Sequence, residues 1–146
     1  MRGRICVVLG LAAVAGLGVG VPSASASAVP PTAASAAAAQ GWSARSSDGK
    51  GWASGNSSFS ESAGLRVTGS LYDARGTRAC SWVKVRSLSD KLKYRTVTFR
   101  NCSSTPRAFS VRAGYVLKTE AKVCRGTSTR ITGKCSGWRL VWRQGG

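Results

Sequence analysis

Histidine is absent from this chain of 146 residues, and acids are scarce: 5 Asp and Glu stand against 22 Lys and Arg. Each absence closes a class of chemistry. Without histidine there is no Ser-His-Asp or Cys-His nucleophilic site. There is no imidazole acid–base pair either, and most catalytic zinc geometries are lost. No C-x-x-C pair occurs, which removes the common structural zinc spacings. Gly49-Lys50-Gly51 reads as a turn, since the residues of a phosphate loop are not around it. No window combines helical spacing with a capping residue, and no internal repeat stands out.

Carboxylate chemistry is what remains. A glycosidase needs two acids facing one another across a cleft. Asp73 and Asp90 fall in expected turns, and Glu61 lies in a Ser-rich stretch. Glu120 is flanked by Lys118 and Lys122, where an ion pair is the simpler role. The expectation is therefore a protein that is not an enzyme, with no catalytic, cofactor-binding or metal-ligating residues.

The one long apolar run is at the start. Arg2 and Arg4 precede an uncharged stretch over 5–21, followed by Pro22 and the small-residue tract Ser23-Ala24-Ser25-Ala26-Ser27-Ala28. Charged end, apolar middle and small-residue site are the order of a secretory signal peptide. The run is Gly- and Ala-rich and short for a membrane span. Residues 1–28 are expected to be removed, giving a secreted, extracellular chain with no stable membrane insertion. Cys6 leaves with that leader, and Val7 and Val8 after it do not make a lipidation site.

Four cysteines then remain: Cys80, Cys102, Cys124 and Cys135. An even count in an exported chain reads as two disulfides, with three pairings open. Closure of neighbouring strands favours Cys80–Cys102 with Cys124–Cys135. Each bridge is expected to stabilise by about 2–4 kcal/mol.

Composition divides the rest. Residues 29–41 are Ala, Ser, Pro and Thr around Gln40 and read as a flexible arm. Residues 42–63 are Gly- and Ser-rich, with Trp42, Trp52 and Phe59 as anchors that dock on this domain or on another protein. From Gly64 the pattern turns to period two, the mark of half-buried strands. Leu65, Val67 and Leu71 alternate with polar neighbours, and Val83 and Val85 alternate with Lys84 and Arg86. Cys80 and Trp82 break that phase, and a bulge near Trp82 would restore it. Val97 and Phe99 follow, then Phe109, Val111, Ala113, Tyr115 and Leu117 with a break expected at Gly114. Residues 125–134 read as a loop. In the last strand Trp138, Leu140 and Trp142 are expected inside, with Arg139, Val141 and Arg143 outside. Residues 64–146 are thus expected to form an all-β domain, a small antiparallel sandwich or barrel stapled by two disulfides.

The formal net charge is +17, and only Arg2 and Arg4 of that excess belong to the leader. Such a chain is drawn to acidic surfaces and polyanions. Lys84, Arg86, Arg100, Arg112, Lys118, Arg139 and Arg143 fall on expected outer faces, while Arg125, Arg130 and Lys134 cluster in one loop. The Trp side chains fall mostly on inner faces, which disfavours nucleic acid as a partner because base stacking needs exposed rings. Tyr72 and Tyr94 fall outward. Candidate partner-binding residues are Trp42, Trp52, Lys84, Arg86, Arg139 and Arg143.

The arm over 29–41, the aromatics Trp42 and Trp52, and the four cysteines give a layout that resembles small secreted actinobacterial β-sandwich proteins. The adaptor subunits of umbrella-shaped toxin particles are among them. That resemblance implies a protein linking a carbohydrate-binding, protease-like subunit to a large toxin subunit, with its N-terminal extension inserted in a partner's cleft. A secreted protein partner is the expectation. The alternatives are a free cationic factor on anionic envelope polymers, and a small hydrolase or protease inhibitor. The chain lacks an inhibitor's reactive-site loop between cysteines. Mass spectrometry after alkylation of the undenatured protein should find none of Cys80, Cys102, Cys124 and Cys135 labelled until a reductant is added.

Overall fold

Alternation of buried and exposed residues governs the computed structural model, which describes residues 39–76 and 78–145. Nine strands occur among them: β1 (Gln40–Arg45), β2 (Gly51–Ser60), β3 (Gly64–Asp73), β4 (Cys80–Leu88), β5 (Tyr94–Asn101), β6 (Arg107–Gly114), β7 (Lys118–Gly126), β8 (Ile131–Gly133) and β9 (Arg139–Arg143). They form two antiparallel sheets. The first runs β1-β2-β3-β6, and the second runs β5-β4-β7 with β8 and β9 both paired to β7. The inner faces meet over Val67, Leu71, Val83, Val85, Ala121, Val123 and Val141, each at most 1% exposed. The described fold is an all-β sandwich without a helix, and none of its elements is a helix long and apolar enough to cross a membrane.

The β-domain begins at Gln40, ahead of the Gly64 boundary that composition suggests. Residues 42–63 are mostly the strands β1 and β2, and Gln40 and Gly41 of the expected arm belong to β1. The rest of the arm through Ala38, and the expected leader, lie outside the described residues. One inner-face row explains why this stretch looks like a linker. Trp42 pairs with Gly55, Gly55 with Gly69, and Gly69 with Phe109. The Trp42 and Phe109 rings reach over the glycines to 6.0 Å between centroids. A Cβ at Gly69 would stand 2.9 Å from the Phe109 ring and 3.1 Å from Trp42, so glycine is required for packing there.

Three further details depart from the sequence pattern. No bulge occurs at Trp82, because β4 keeps register with both neighbours. Ser81 turns inward, fully buried, and Trp82 joins Lys84 and Arg86 outside. The last strand departs in part: Val141 is buried and Leu140 is 49% exposed, while Trp142 packs against the core and Arg139 and Arg143 are exposed as expected. A register shift at Thr119/Glu120 sets this phase, placing Trp142 opposite Thr119 and Leu140 opposite Glu120. The expected break at Gly114 occurs, at a φ of 70°.

Arg125 and Asp73 are the third departure, one expected in a basic loop and the other in a turn. Both are buried, in β7 and β3 respectively. The Arg125 guanidinium is paired with Asp73 and donates to Ser81 Oγ at 2.5 Å. Ser81 Oγ in turn donates to Asp73 Oδ1 at 2.9 Å, and Asp48 Oδ2 lies 3.7 Å from Arg125 Nε. One side chain from β7 thereby holds groups from both sheets. The two disulfides, Cys80–Cys102 and Cys124–Cys135, are those the strand order favours.

One side of the sandwich is closed and the other is open. Ser57 Oγ of β2 donates to the Val141 carbonyl of β9 at 3.0 Å, and Phe59 stacks on Trp142 at 5.5 Å. Across the other side, β5 and β6 meet through the Phe99–Phe109 stack at 5.0 Å, beyond which the sheets part. Replacing Asp73→Ala would leave the Arg125 charge buried without its main partner. Denaturant unfolding should then show a loss of about 3–5 kcal/mol, and an apolar double replacement (Asp73→Leu with Arg125→Met) should recover most of it.

Candidate partner-binding face

The outer face of the second sheet gathers the residues most suited to recognition. Alternation sends Trp82, Lys84 and Arg86 of β4 outward, flanked by Tyr94, Thr96, Thr98 and Arg100 of β5 and by Lys118, Glu120 and Lys122 of β7. Cross-strand rows read Thr98–Lys84–Lys122 and Thr96–Arg86–Glu120. Cations dominate, and Glu120 is the acid among them.

Aromatic rings hold these cations in place. The Arg86 guanidinium lies 3.9 Å from the centroid of Trp138 and 4.6 Å from that of Tyr94. Lys122 Nζ is 4.6 Å from the Trp138 ring, and Arg100 lies 5.7 Å from that of Trp82. Each contact is worth about 0.5–1 kcal/mol when exposed and more when desolvated. Trp138 reaches this face because its loop is tied down. The Cys124–Cys135 bridge anchors it, Ser136 N donates to the Val123 carbonyl at 2.8 Å, and Val123 N donates to Ser136 Oγ at 3.1 Å. Trp82 Nε1 donates to the Thr127 carbonyl at 3.1 Å, orienting the second ring.

Glu120 links the cations. Its Oε2 accepts from Arg86 Nε and Nη2, each at 2.8 Å, and its Oε1 lies 3.1 Å from Lys118 Nζ. Burial opposes the Glu120 charge, but bonds from Lys118 and Arg86 and their positive fields more than offset it, leaving the carboxyl below its ordinary range. The same carboxylate raises the Lys118 ammonium.

The candidates named from sequence are scattered. Lys84 and Arg86 lie at the centre of this face. Arg139 and Arg143 are exposed on β9, which flanks β7. Trp52 is on the other sheet, stacked on Tyr72 at 4.8 Å with Arg45 5.7 Å from its ring. Trp42 is a core residue, 7% exposed, so it carries packing. Trp138, expected inside, is a central element of the face. Sequence spacing could not place it, because its position follows from the disulfide-tied loop and the register shift in β7.

Two of the other acids are structural. Asp48 and Asp73 converge on Arg125, and Asp73 is closed off from solvent. Burial opposes the Asp48 charge, while the Ser46 hydroxyl, the Lys50 amide and Arg125 hold its carboxyl below the usual range. No protein-family model matches the chain, and neither a curated protein nor a solved structure does.

The acid response of this face has a definite sign. A carboxyl depressed in the folded state contributes stability that is full above the unfolded value, about 4.3 for Glu. That contribution is lost as pH falls through the lower folded value. The stability difference between wild type and Glu120→Gln should therefore be constant above that unfolded value and shrink below it. Urea titrations at successive pH values would show this, and a difference independent of pH would contradict it.

Proposed function

We propose that this chain is an exported, non-enzymatic interaction module that binds an acidic protein partner on the outer face of its second sheet. In keeping with its layout, it would serve as an adaptor subunit of an extracellular antibacterial toxin complex. The observation that carries the reading is the array of Arg86, Lys122, Tyr94 and Trp138. Lysine and arginine side chains ordinarily lose much rotamer freedom when they bind. Here rings hold them before any partner arrives. Arg, Trp and Tyr are also the residue types that dominate measured binding energies. The two disulfides fit an extracellular setting, where such bonds persist.

Charge alone would also suit an anionic envelope polymer, and exposed rings raise the case for single-stranded nucleic acid. Trp138 already holds Arg86 and Lys122 against its ring. A base would have to displace them, so these rings serve better as supports for cations than as stacking platforms. The fixed spacing of the cations favours a shaped acidic surface over a flexible polymer.

Co-purification from the native culture, with washes at moderate and high salt, tests this. Wild type should hold a secreted protein at fixed stoichiometry through high salt. Trp138→Ala keeps every charge but removes the ring that Arg86 and Lys122 share, and should weaken that complex by about 30-fold, the size of a strong interface contact. Polyanion binding would instead fall steeply with salt and respond to Lys84→Glu with Lys122→Glu far more than to Trp138→Ala. That second pattern would refute the protein-partner reading.

A further inference from the structure

We infer that the open side of the sandwich is a strand-addition site, where an extended segment of the acidic partner pairs with the free edge of β5. This inference rests on the binding reading above and names how the partner would be gripped. β5 ends its sheet, and its outward edge has no pairing strand among the described residues. Its 8 residues include Thr96, Val97, Thr98 and Phe99, a β-favouring run without proline. An exposed edge of this length presents main-chain donors and acceptors that template another strand.

The space beside this edge suits such a guest. Beyond the Phe99–Phe109 stack lies a cavity of about 270 Å³ whose apolar walls include Val85, Val97, Val111, Ala113 and Val116. Arg95 and Arg112 line it as well, and neither forms an ion pair among the described residues. At the same end, Leu92, Tyr94 and Tyr115 are 72%, 48% and 64% exposed. Val85, Val111 and Val116 are already 1%, 7% and 8% exposed, so a free small molecule would gain little apolar area there. A strand draws affinity from main-chain hydrogen bonds and needs the cavity only for alternate side chains.

Charge selects among the possible strands. Residues 29–39 of this chain carry no acid and include Pro30 and Pro31, so they offer nothing to Arg95, Arg100 or Arg112. Two copies joined antiparallel along β5 would merge two cationic outer faces, each with Lys84, Arg86 and Arg100, into one sheet, and like charges so gathered repel. An alternating acidic and apolar segment fits both sides. Its apolar positions enter the cavity, and its acids lie beside Arg100 and the cationic rows. The added strand would extend the partner-binding face without a break, because Thr96, Thr98 and Arg100 of β5 already belong to it.

The test uses the whole purified chain labelled with nitrogen-15. Two capped peptides are matched to the 8 residues of β5: one alternates Glu and Val, and the other has the same composition in two blocks. The alternating peptide should protect β5 amides from exchange and bind about tenfold more tightly than the block peptide, a difference of 1.4 kcal/mol. Ala113→Phe, which fills the cavity from an edge strand, should remove that preference while the spectrum stays folded. Equal affinity for the two peptides, or shifts confined to Lys84, Arg86 and Lys122, would overturn strand addition and leave the partner-binding face standing. Absence of binding at millimolar peptide would overturn it too, and the Trp138→Ala co-purification would still judge the face separately. Protection of β5 in the free protein, lost on deleting 1–39 or on dilution, would assign the edge to this chain's own segment or to a second copy and refute the inference.

Discussion

The buried pairing of Arg125 with Asp73 is the constraint on which the two sheets depend. Asp73 closes β3 of the first sheet, and Arg125 lies near the end of β7 in the second. Ser81 of β4 bonds to both. The Lys50 carbonyl accepts from Arg125 at 3.4 Å, and Asp48 approaches the same guanidinium, so the β1–β2 turn is drawn in as well. A pair this deep costs much of its attraction in lost hydration. Its value is in what it forbids: with Arg125 in solvent the Asp73 charge would be buried alone, and with Ser81 outward the pair would lose the hydroxyl that bonds to both members. Register and facing of three strands are thereby fixed at one end, where the core offers mainly small side chains.

Strand β7 carries that constraint through to the proposed binding surface. Period two puts Thr119, Ala121, Val123 and Arg125 inside, so Lys118, Glu120 and Lys122 must face out. Cys124 is also buried, because its bridge to Cys135 draws a loop across the outer face. That loop delivers Trp138 to Arg86 and Lys122. A disulfide that reads as a simple stabiliser in sequence therefore also positions a ring of the proposed binding face. The cations are held by rings whose backbone is itself anchored, which makes the face rigid without burying it.

Much of the sandwich was legible in sequence because valine alternates with arginine, lysine or threonine through β3 to β7, and the break at Gly114 was marked by its own residue. The disulfide pairing followed from the same strand order. The first two strands were not legible, because β2 sets Ala53, Gly55 and Ser57 inside and Ser54, Asn56 and Ser58 outside, with Trp52 outside as well. Nothing in that alternation separates hydrophobic from polar. Its meaning comes from Trp42 and Phe109, far apart in the chain, which need small partners between them. The inward Val141 and outward Leu140 of β9 were hidden by a register shift in its neighbour. The inward turn of Ser81 was hidden by an ion pair whose members are 52 residues apart. In each case the deciding contact is tertiary, and local periodicity favoured the wrong side. The proposed binding face was half legible: Lys84 and Arg86 were named from their strand, while Trp138 was assigned to the core.

The asymmetry of the sandwich ties these features together. On one side β2 is joined to β9 by the Ser57–Val141 bond and the Phe59–Trp142 stack, so bulky groups seal the sheets. On the other side the Phe99–Phe109 stack is the main aromatic link, and arginines take the place of further rings. An inward arginine on an edge strand is a recognised guard against self-pairing. Arg95 fits that role, since its cross-strand partner Ser87 faces the interior. The same charge that repels a second copy attracts a chain of opposite sign. On the proposed reading, an edge guarded by positive charge and continuous with a cationic face would be closed to its own kind and open to an acidic partner. Selectivity of this sort would require no pocket of special shape, only that most of the chain's acids be kept in internal ion pairs, as Asp48, Asp73 and Glu120 are and Glu61 and Asp90 are not.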